Sequence, residues 1–502
     1  MLVGGMTLIS RILGFIRDVI IAHFFGASTS TDAFLIAFKI PNFMRRLFAE
    51  GAFSQAFTPV LSEYKTQRDT KAVKHLVNHV AGNLGGILFL ITIIGVILAP
   101  LLVLIFAPGF LQYQAKYDLT VAMLQITFPY MLFIALTAFA GAILNTYGQF
   151  GVPAFTPVLL NLCLIGAAIW FTPYFDEPVM ALAWAVFIAG FIQLGFQLPF
   201  LSRLDLIPKP QFKQADEGVK RIYQLMIPAL FGVSVSQINL LIDTLMASFL
   251  VTGSVSWLYY SDRLMEFPLA VFGLALATVM LPDLSKSVAR GDMQNYNKTL
   301  DWALRWVFLI AVPSMLGLII LASPMLTTLF NYGQFSDYDV MMTARSLIAY
   351  AFGLVGFVLI KVLASGFYSR QDTRTPVKIA VIAMITNMVL NLILIWPLAH
   401  AGLALATSLA ALLNAGLLYR GLRQQAFFQA QPGWHKFLVQ ILLASTCMSL
   451  LLWWGSGSLS VWLNMTTIER ALHLFGWILA GLVVYLASLA LFGLRVRHIT
   501  LK

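Results

Sequence analysis

Apolar runs of about twenty residues recur from one end of the chain to the other, separated by short polar stretches. At 1.5 Å of rise per residue, a helix of about that length crosses a hydrocarbon core of ~30 Å. The pattern predicts about fourteen spans, at residues 2–25, 32–58, 76–107, 119–146, 153–171, 178–201, 222–250, 254–284, 300–322, 340–368, 376–396, 402–422, 437–454 and 471–494. None alternates apolar and polar residues as a membrane β-strand does. The expected fold class is an all-α polytopic membrane protein.

The runs also repeat. Residues 53–65, "FSQAFTPVLSEYK", align with residues 276–288, "LATVMLPDLSKSV", setting Pro59 over Pro282. The same shift sets Pro153 over Pro376. Six spans fall within one period, and an even number gives both halves one orientation. Parallel repeats of this kind build transporters whose lobes rock about a central site. The expected layout is an N-terminal lobe at residues 1–202, a cytoplasmic linker at 203–221, a C-terminal lobe at 222–422 and two extra helices within 423–502.

Composition agrees: 60% of the 502 residues are hydrophobic and 11% are charged, and the mean hydropathy is +0.85. A water-soluble domain of this size would need more polar surface. The formal net charge of +11 is unevenly spread. Loops such as "EYKTQRDTKAVKH" and "YSRQDTRTPVK" are basic, whereas "GASTST", "FDEP", "VTGSVS" and "PLAHA" hold no Lys or Arg. Lys116 is the exception in this second set. By the positive-inside rule the basic loops and both termini face the cytoplasm, so the charge is a topology signal. It is not a nucleic-acid patch. Cys163 and Cys447 lie in apolar runs, and the seven histidines lack metal-ligand spacing. No removable signal peptide is expected, because Arg11 and Arg17 interrupt the first apolar run. The loops opposite the basic ones are too short to build an external active site, which argues against an enzyme. No GxxxxGKS motif is present, so transport would draw on an ion gradient or the membrane potential.

Charges inside the spans are the candidate chemistry. Each costs about 2.5–3.5 kcal/mol at the bilayer centre. Positions seven apart share a helix face. Arg11 therefore sits with Asp18, and Arg17 is displaced; adjacent residues point apart, so Arg17 and Asp18 are expected to pair poorly. On the second span Asp32, Lys39, Arg46 and Glu50 form one stripe with Arg45 beside it, and Pro41 bends the helix. On the eighth, Asp262 and Arg263 both reach Glu266. One reading is that these ions pin helices to one another. The other starts from the surplus of cations: they avoid lipid and line a water-filled cavity between the lobes, fit for an anionic head group. Arginine's planar fork suits phosphate and stays charged when desolvated.

Uncharged polar groups form a second set. Asn387 and Asn391 are i,i+4 on the eleventh span, Asp243 is the only carboxylate within the seventh, and Thr407 lies on the twelfth. Their oxygens suit sodium; equally, Asn pairs serve as hydrogen-bond glue between helices.

"SRILGFIRD", "TDAFLIAFKIPNFMRRLFAEGAFSQAF", "SVSWLYYSDRLMEFP", "APGF" and "FYSRQDTRTPVKIA" closely resemble the MurJ (MviN) family of bacterial lipid II flippases. The resemblance runs over essentially the whole chain, which starts several residues late against the family pattern. It implies the multidrug/oligosaccharidyl-lipid/polysaccharide exporter superfamily, two six-helix lobes and two further helices holding a lipid tail. The implied substrate is undecaprenyl-diphosphate carrying a disaccharide-pentapeptide, moved from the cytoplasmic to the periplasmic leaflet of the inner membrane. The family's flipping residues map onto Arg11, Arg17, Asp32, Arg45 and Arg263, with Lys39, Glu50, Asp262 and Glu266 at neighbouring motif positions. A sodium site of some members coincides with Asp243, Asn387, Asn391 and Thr407, and no other cofactor is implied. Expected partners are lipid II, the surrounding lipids and cell-wall synthesis proteins.

Three rivals stand against this. A drug or polysaccharide-lipid exporter of the superfamily would, if drug-handling, want carboxylates where this chain is rich in cations. A membrane glycosyltransferase or ligase would transfer sugar in pure form. A non-transporting scaffold would tolerate neutral replacements in the first two spans.

Overall fold

A computed structural model describes residues 2–46, 53–212, 217–269, 273–424 and 427–494. The chain divides into two compact units, Met1–Ser256 and Trp257–Lys502. The first contains α1 (Leu2–Phe25), α2 (Thr29–Arg45), α3 (Ser54–Gln67), α4 (Thr70–Ile97), α5 (Ala99–Phe106), α6 (Gln114–Thr127), α7 (Tyr130–Thr146), α8 (Gly151–Gly166), α9 (Met180–Arg203) and α10 (Glu217–Ser248). The helix α11 (Ser254–Pro268) straddles the boundary. The second unit continues with α12 (Leu274–Ala289), α13 (Met293–Ile320), α14 (Ala322–Phe330), α15 (Asp337–Ala351), α16 (Leu354–Tyr368), α17 (Arg374–Leu398), α18 (His400–Gln424), α19 (Trp434–Ser456), α20 (Leu459–Leu463) and α21 (Thr467–Leu491).

Among the described residues, the expected spans fall on helices or on consecutive helices, and several are broken. Residues 76–107 become α4 and α5, with Pro100 just past the break; 119–146 become α6 and α7, divided at Pro129. Proline lacks the N–H that would continue the ladder. The span at 340–368 divides at Phe352-Gly353 without one. Among the described residues, ten helices are long and apolar enough to cross a membrane, taking α6–α7 and α15–α16 as continuous. Three others carry the unusual chemistry: α1 with three charged residues, and the shorter α2 and α11, of 17 and 15 residues.

The repeat relates α1–α9 to α10–α18 and leaves α19, α20 and α21 outside it. A shift of 223 residues, the interval between Pro59 and Pro282, lays α4 on α13, α5 on α14, α6 on α15 and α8 on α17. The charges of α1 are not repeated: Arg17 and Asp18 fall on Leu240 and Leu241 of α10.

In the first unit the core gathers Phe53, Phe57, Leu76, Phe139, Leu144, Leu201 and Ile222 around α3, α4, α7 and the start of α10. The seventh expected span, α10, thus packs within this unit. In the second, α19 and α21 pack on α13 through Phe437, Ile441, Met448 and Tyr485. The Tyr485 hydroxyl donates to Leu309 O at 2.7 Å. Large apolar side chains such as Leu392, Leu472, Phe475 and Leu482 lie exposed along α17 and α21, a surface that suits hydrocarbon and not water.

One buried arginine organises the end of the helix pair. Arg470 donates to Trp462 O and Leu463 O, each at 2.9 Å, and to Asn331 O and Thr327 O at 3.3 and 3.4 Å. These carbonyls end α20 and α14, where the helix dipole is negative. Arg470→Met should lower the thermal unfolding midpoint of the detergent-solubilised protein by several degrees, corresponding to about 2–3 kcal/mol. An unchanged midpoint would show that the carbonyls find other donors.

Candidate functional site

On α1 the expected geometry needs correction. Arg17 and Asp18 do pair: Nε and Nη2 of Arg17 both donate to Asp18 Oδ1, at 3.0 and 2.6 Å. Neighbouring Cβ atoms point apart, but the guanidinium lies far enough along its side chain to turn back. Nη1 reaches across to Asn161 Oδ1 of α8 at 3.0 Å, and Asn161 Nδ2 donates to Ser10 O at 3.1 Å. Arg17 and Asp18 are 7% and 1% exposed, so this is a buried ion pair and not a pair of groups open to water. Arg11, nearly two turns earlier, is exposed.

On α2 the expected stripe breaks up. Asp32 is fully buried. Its Oδ2 accepts from Lys116 Nζ and from Gly253 N, both at 2.8 Å. Its Oδ1 accepts from Ser256 N at 3.0 Å and Ser256 Oγ at 2.6 Å. The carboxylate thereby caps the first turn of α11, where unpaired N–H groups and the helix dipole favour negative charge. Gly253 turns its N–H toward Asp32 at φ +95°, a conformation that side chains disfavour. Lys116, the apparent exception among the loops, is 3% exposed and also lies 4.1 Å above the Phe110 ring. It is an internal partner and not a loop charge.

Lys39 and Arg45 are half-buried, and Arg46 is exposed. Arg45 Nε donates to Asn42 Oδ1 at 3.2 Å. Glu50 lies outside the described residues. In the second unit Arg263 Nη1 donates to Glu266 Oε2 at 3.1 Å and Nη2 to the Tyr259 hydroxyl at 3.3 Å. The expected i,i+3 pair is present there, at the more exposed edge of α11, with Asp262 half-buried beside it.

Of the polar set, Asn387 and Asn391 are buried on one face of α17. Thr407 donates to Leu403 O of its own helix at 3.0 Å, leaving its oxygen lone pairs able to face a cation. Asp243, on α10, is half-buried in the first unit. Asn387, Asn391 and Thr407 thus belong to the second unit and Asp243 to the first.

Three contributors escape the sequence reading: Asn161, Gly253 and Ser256. Asn161 is an isolated amide within "VLLNLCL", a signal that a polar partner faces it. Ser256 and Gly253 act largely through backbone N–H groups, which side-chain identity does not disclose.

The chain matches the family model described as lipid II flippase MurJ over residues 21–472. It is 46% identical to the probable lipid II flippase MurJ of Haemophilus influenzae, covering 99% of this chain and 100% of that one. It is 47% identical to the Vibrio cholerae protein of the same description, covering 99% and 96%. A solved structure of lipid II flippase MurJ in an inward closed conformation aligns with TM-score 0.82 at 28% identity, covering 98% of each chain. An inward-facing multidrug MATE transporter of the MOP superfamily shares the fold alone, with TM-score 0.69 at 14% identity over 83% of this chain and 95% of that one. The chain belongs to the MurJ family of lipid II flippases.

Proposed function

We propose that the protein is a lipid II flippase, carrying undecaprenyl-diphosphate-linked disaccharide-pentapeptide from the cytoplasmic to the periplasmic leaflet by alternating access. Family membership over nearly the whole chain is the observation that carries this reading. It makes the protein a transporter and not an enzyme. The charge distribution of the loops supports an inner-membrane orientation with both termini in the cytoplasm.

The chemistry follows from the cations. The exposed guanidinium of Arg11 meets the diphosphate first. Arg17 then exchanges Asp18 for a phosphate oxygen, a bidentate match that Lys would not reproduce. Arg263 makes the same exchange with Glu266, while Lys39, Arg45 and Arg46 hold the remaining negative charge. Asp32 acts differently: it holds α2 to the first turn of α11 and does not touch the lipid. The apolar tail stays in the bilayer. Sodium would be held by Asn387, Asn391 and Thr407 of the second unit and would set a thermodynamic direction for the cycle. The membrane potential contributes about 2.3 kcal/mol per charge per 100 mV.

Purified protein reconstituted in liposomes should move fluorescent lipid II between leaflets, faster under an imposed potential or sodium gradient. Absence of transfer under every gradient, or sugar transfer onto an acceptor, would overturn the reading.

A further inference from the structure

At the basic-loop end of the first unit lies an apolar groove of about 360 Å³, apart from every charged cluster described above. Its walls come from α4, α7 and α9, and its rim from the segment that leaves α9; Gly82, Gly85, Phe89, Phe139, Leu198 and Phe212 define it. The 28 residues of α4 measure about 42 Å, and a ~30 Å core takes about twenty of them. Lys71, Lys74, His75 and Asn78 all lie in the first third of the helix, so that end is the one to project beyond the hydrocarbon, with Gly82 to Phe89 beneath it.

The rim segment runs inward along α4. Asp205 forms an ion pair with Lys74. Asn78 accepts from Lys209 N at 2.8 Å through its side chain and from Gln211 N at 3.1 Å through its backbone. Gly82 makes room for this approach, since a Cβ there would meet Gln211 O at 2.2 Å. Gly86 faces the Phe212 ring, and a Cβ on Gly85 would meet nothing within 4 Å. Gly85 thus opens onto the groove.

Chemistry at the mouth selects the occupant. Phe89, Leu198, Ile207 and Phe212 are exposed around it, an apolar edge continuous with the lipid-facing helices. Arg203 and Lys209 are exposed just outside that edge. An extended protein segment would carry unsatisfied backbone groups into hydrocarbon, and a helix is too wide for a groove of this volume; a lipid chain has neither problem. We propose that the groove holds one acyl chain of an anionic membrane phospholipid, with its phosphate against Arg203 and Lys209.

The test uses full-length protein and phosphatidylglycerol bearing a photoactivatable diazirine near the end of one chain. Photolysis should label peptides covering residues 81–89 and 194–212. Gly85→Leu fills the opening with a better helix former, keeping the fold, and should lower the yield severalfold. Arg203→Gln and Lys209→Gln should each lower it about fivefold, without changing the yield from a zwitterionic phosphatidylcholine probe. The proposal is overturned if Gly85→Leu labels like the unaltered protein, or if the two probes label equally. It is overturned too if equimolar undecaprenyl diphosphate displaces the label, which would assign the groove to the substrate's own tail.

Discussion

Asp32→Asn should cost the protein about 3–5 kcal/mol and lower the yield of folded material sharply. The substitution removes the charge that neutralises Lys116, whose ammonium is sealed at 3% exposure with the Phe110 ring as its other neighbour. Lys116→Met should be milder. It leaves a carboxylate that still accepts from Gly253 N, Ser256 N and Ser256 Oγ and still faces the first turn of α11. The double variant Asp32→Asn, Lys116→Met should recover part of the loss, because no orphan charge then remains in the interior. Unfolding midpoints of the four proteins in detergent measure the coupling. Equal midpoints for Asp32→Asn and the unaltered protein, or greater damage from Lys116→Met, would show that the burial of Lys116 does not depend on Asp32.

The spans were legible because hydropathy over twenty residues outweighs every local signal in a chain of this composition. The repeat was legible from two proline registers, and the same shift carries over to whole helices such as α4 and α13. What escaped was reach and depth. Helical-wheel reasoning places Cβ atoms and so separated Arg17 from Asp18, though a guanidinium at the end of a long side chain can return to its neighbour. Lys116 looked like a loop charge because sequence gives its nearness to a span end but not its burial. Its partner stands 84 residues away on another helix. Periodicity sets Asp32 on a stripe with Lys39 and Arg46, yet two of its partners are backbone N–H groups at the start of α11, which no side-chain pattern encodes. The helix breaks at Pro100 and Pro129 had a signal in the sequence; the break at Phe352-Gly353 had only a glycine.

Arg17→Gln should reduce lipid II transfer by about a hundredfold, the usual consequence of deleting one member of a desolvated charge contact. That result alone is ambiguous, since it also strands Asp18 in the interior. Combining it with Asp18→Asn removes both charges. Two amides of similar shape can then bond to each other and to Asn161, so folding stability should return to within about 1–2 kcal/mol of the unaltered protein. Transfer should not return, because no amide offers a diphosphate the charged fork of a guanidinium. Asp18→Asn alone separates binding from turnover. Relieved of its carboxylate, Arg17 should hold the diphosphate more tightly and release it more slowly, so apparent affinity rises while the maximal rate falls. These outcomes distinguish an arginine that exchanges partners during transport from one that only pins α1 to α8. If the charge-free pair flips lipid II at the unaltered rate, Arg17 is structural and the diphosphate is gripped elsewhere.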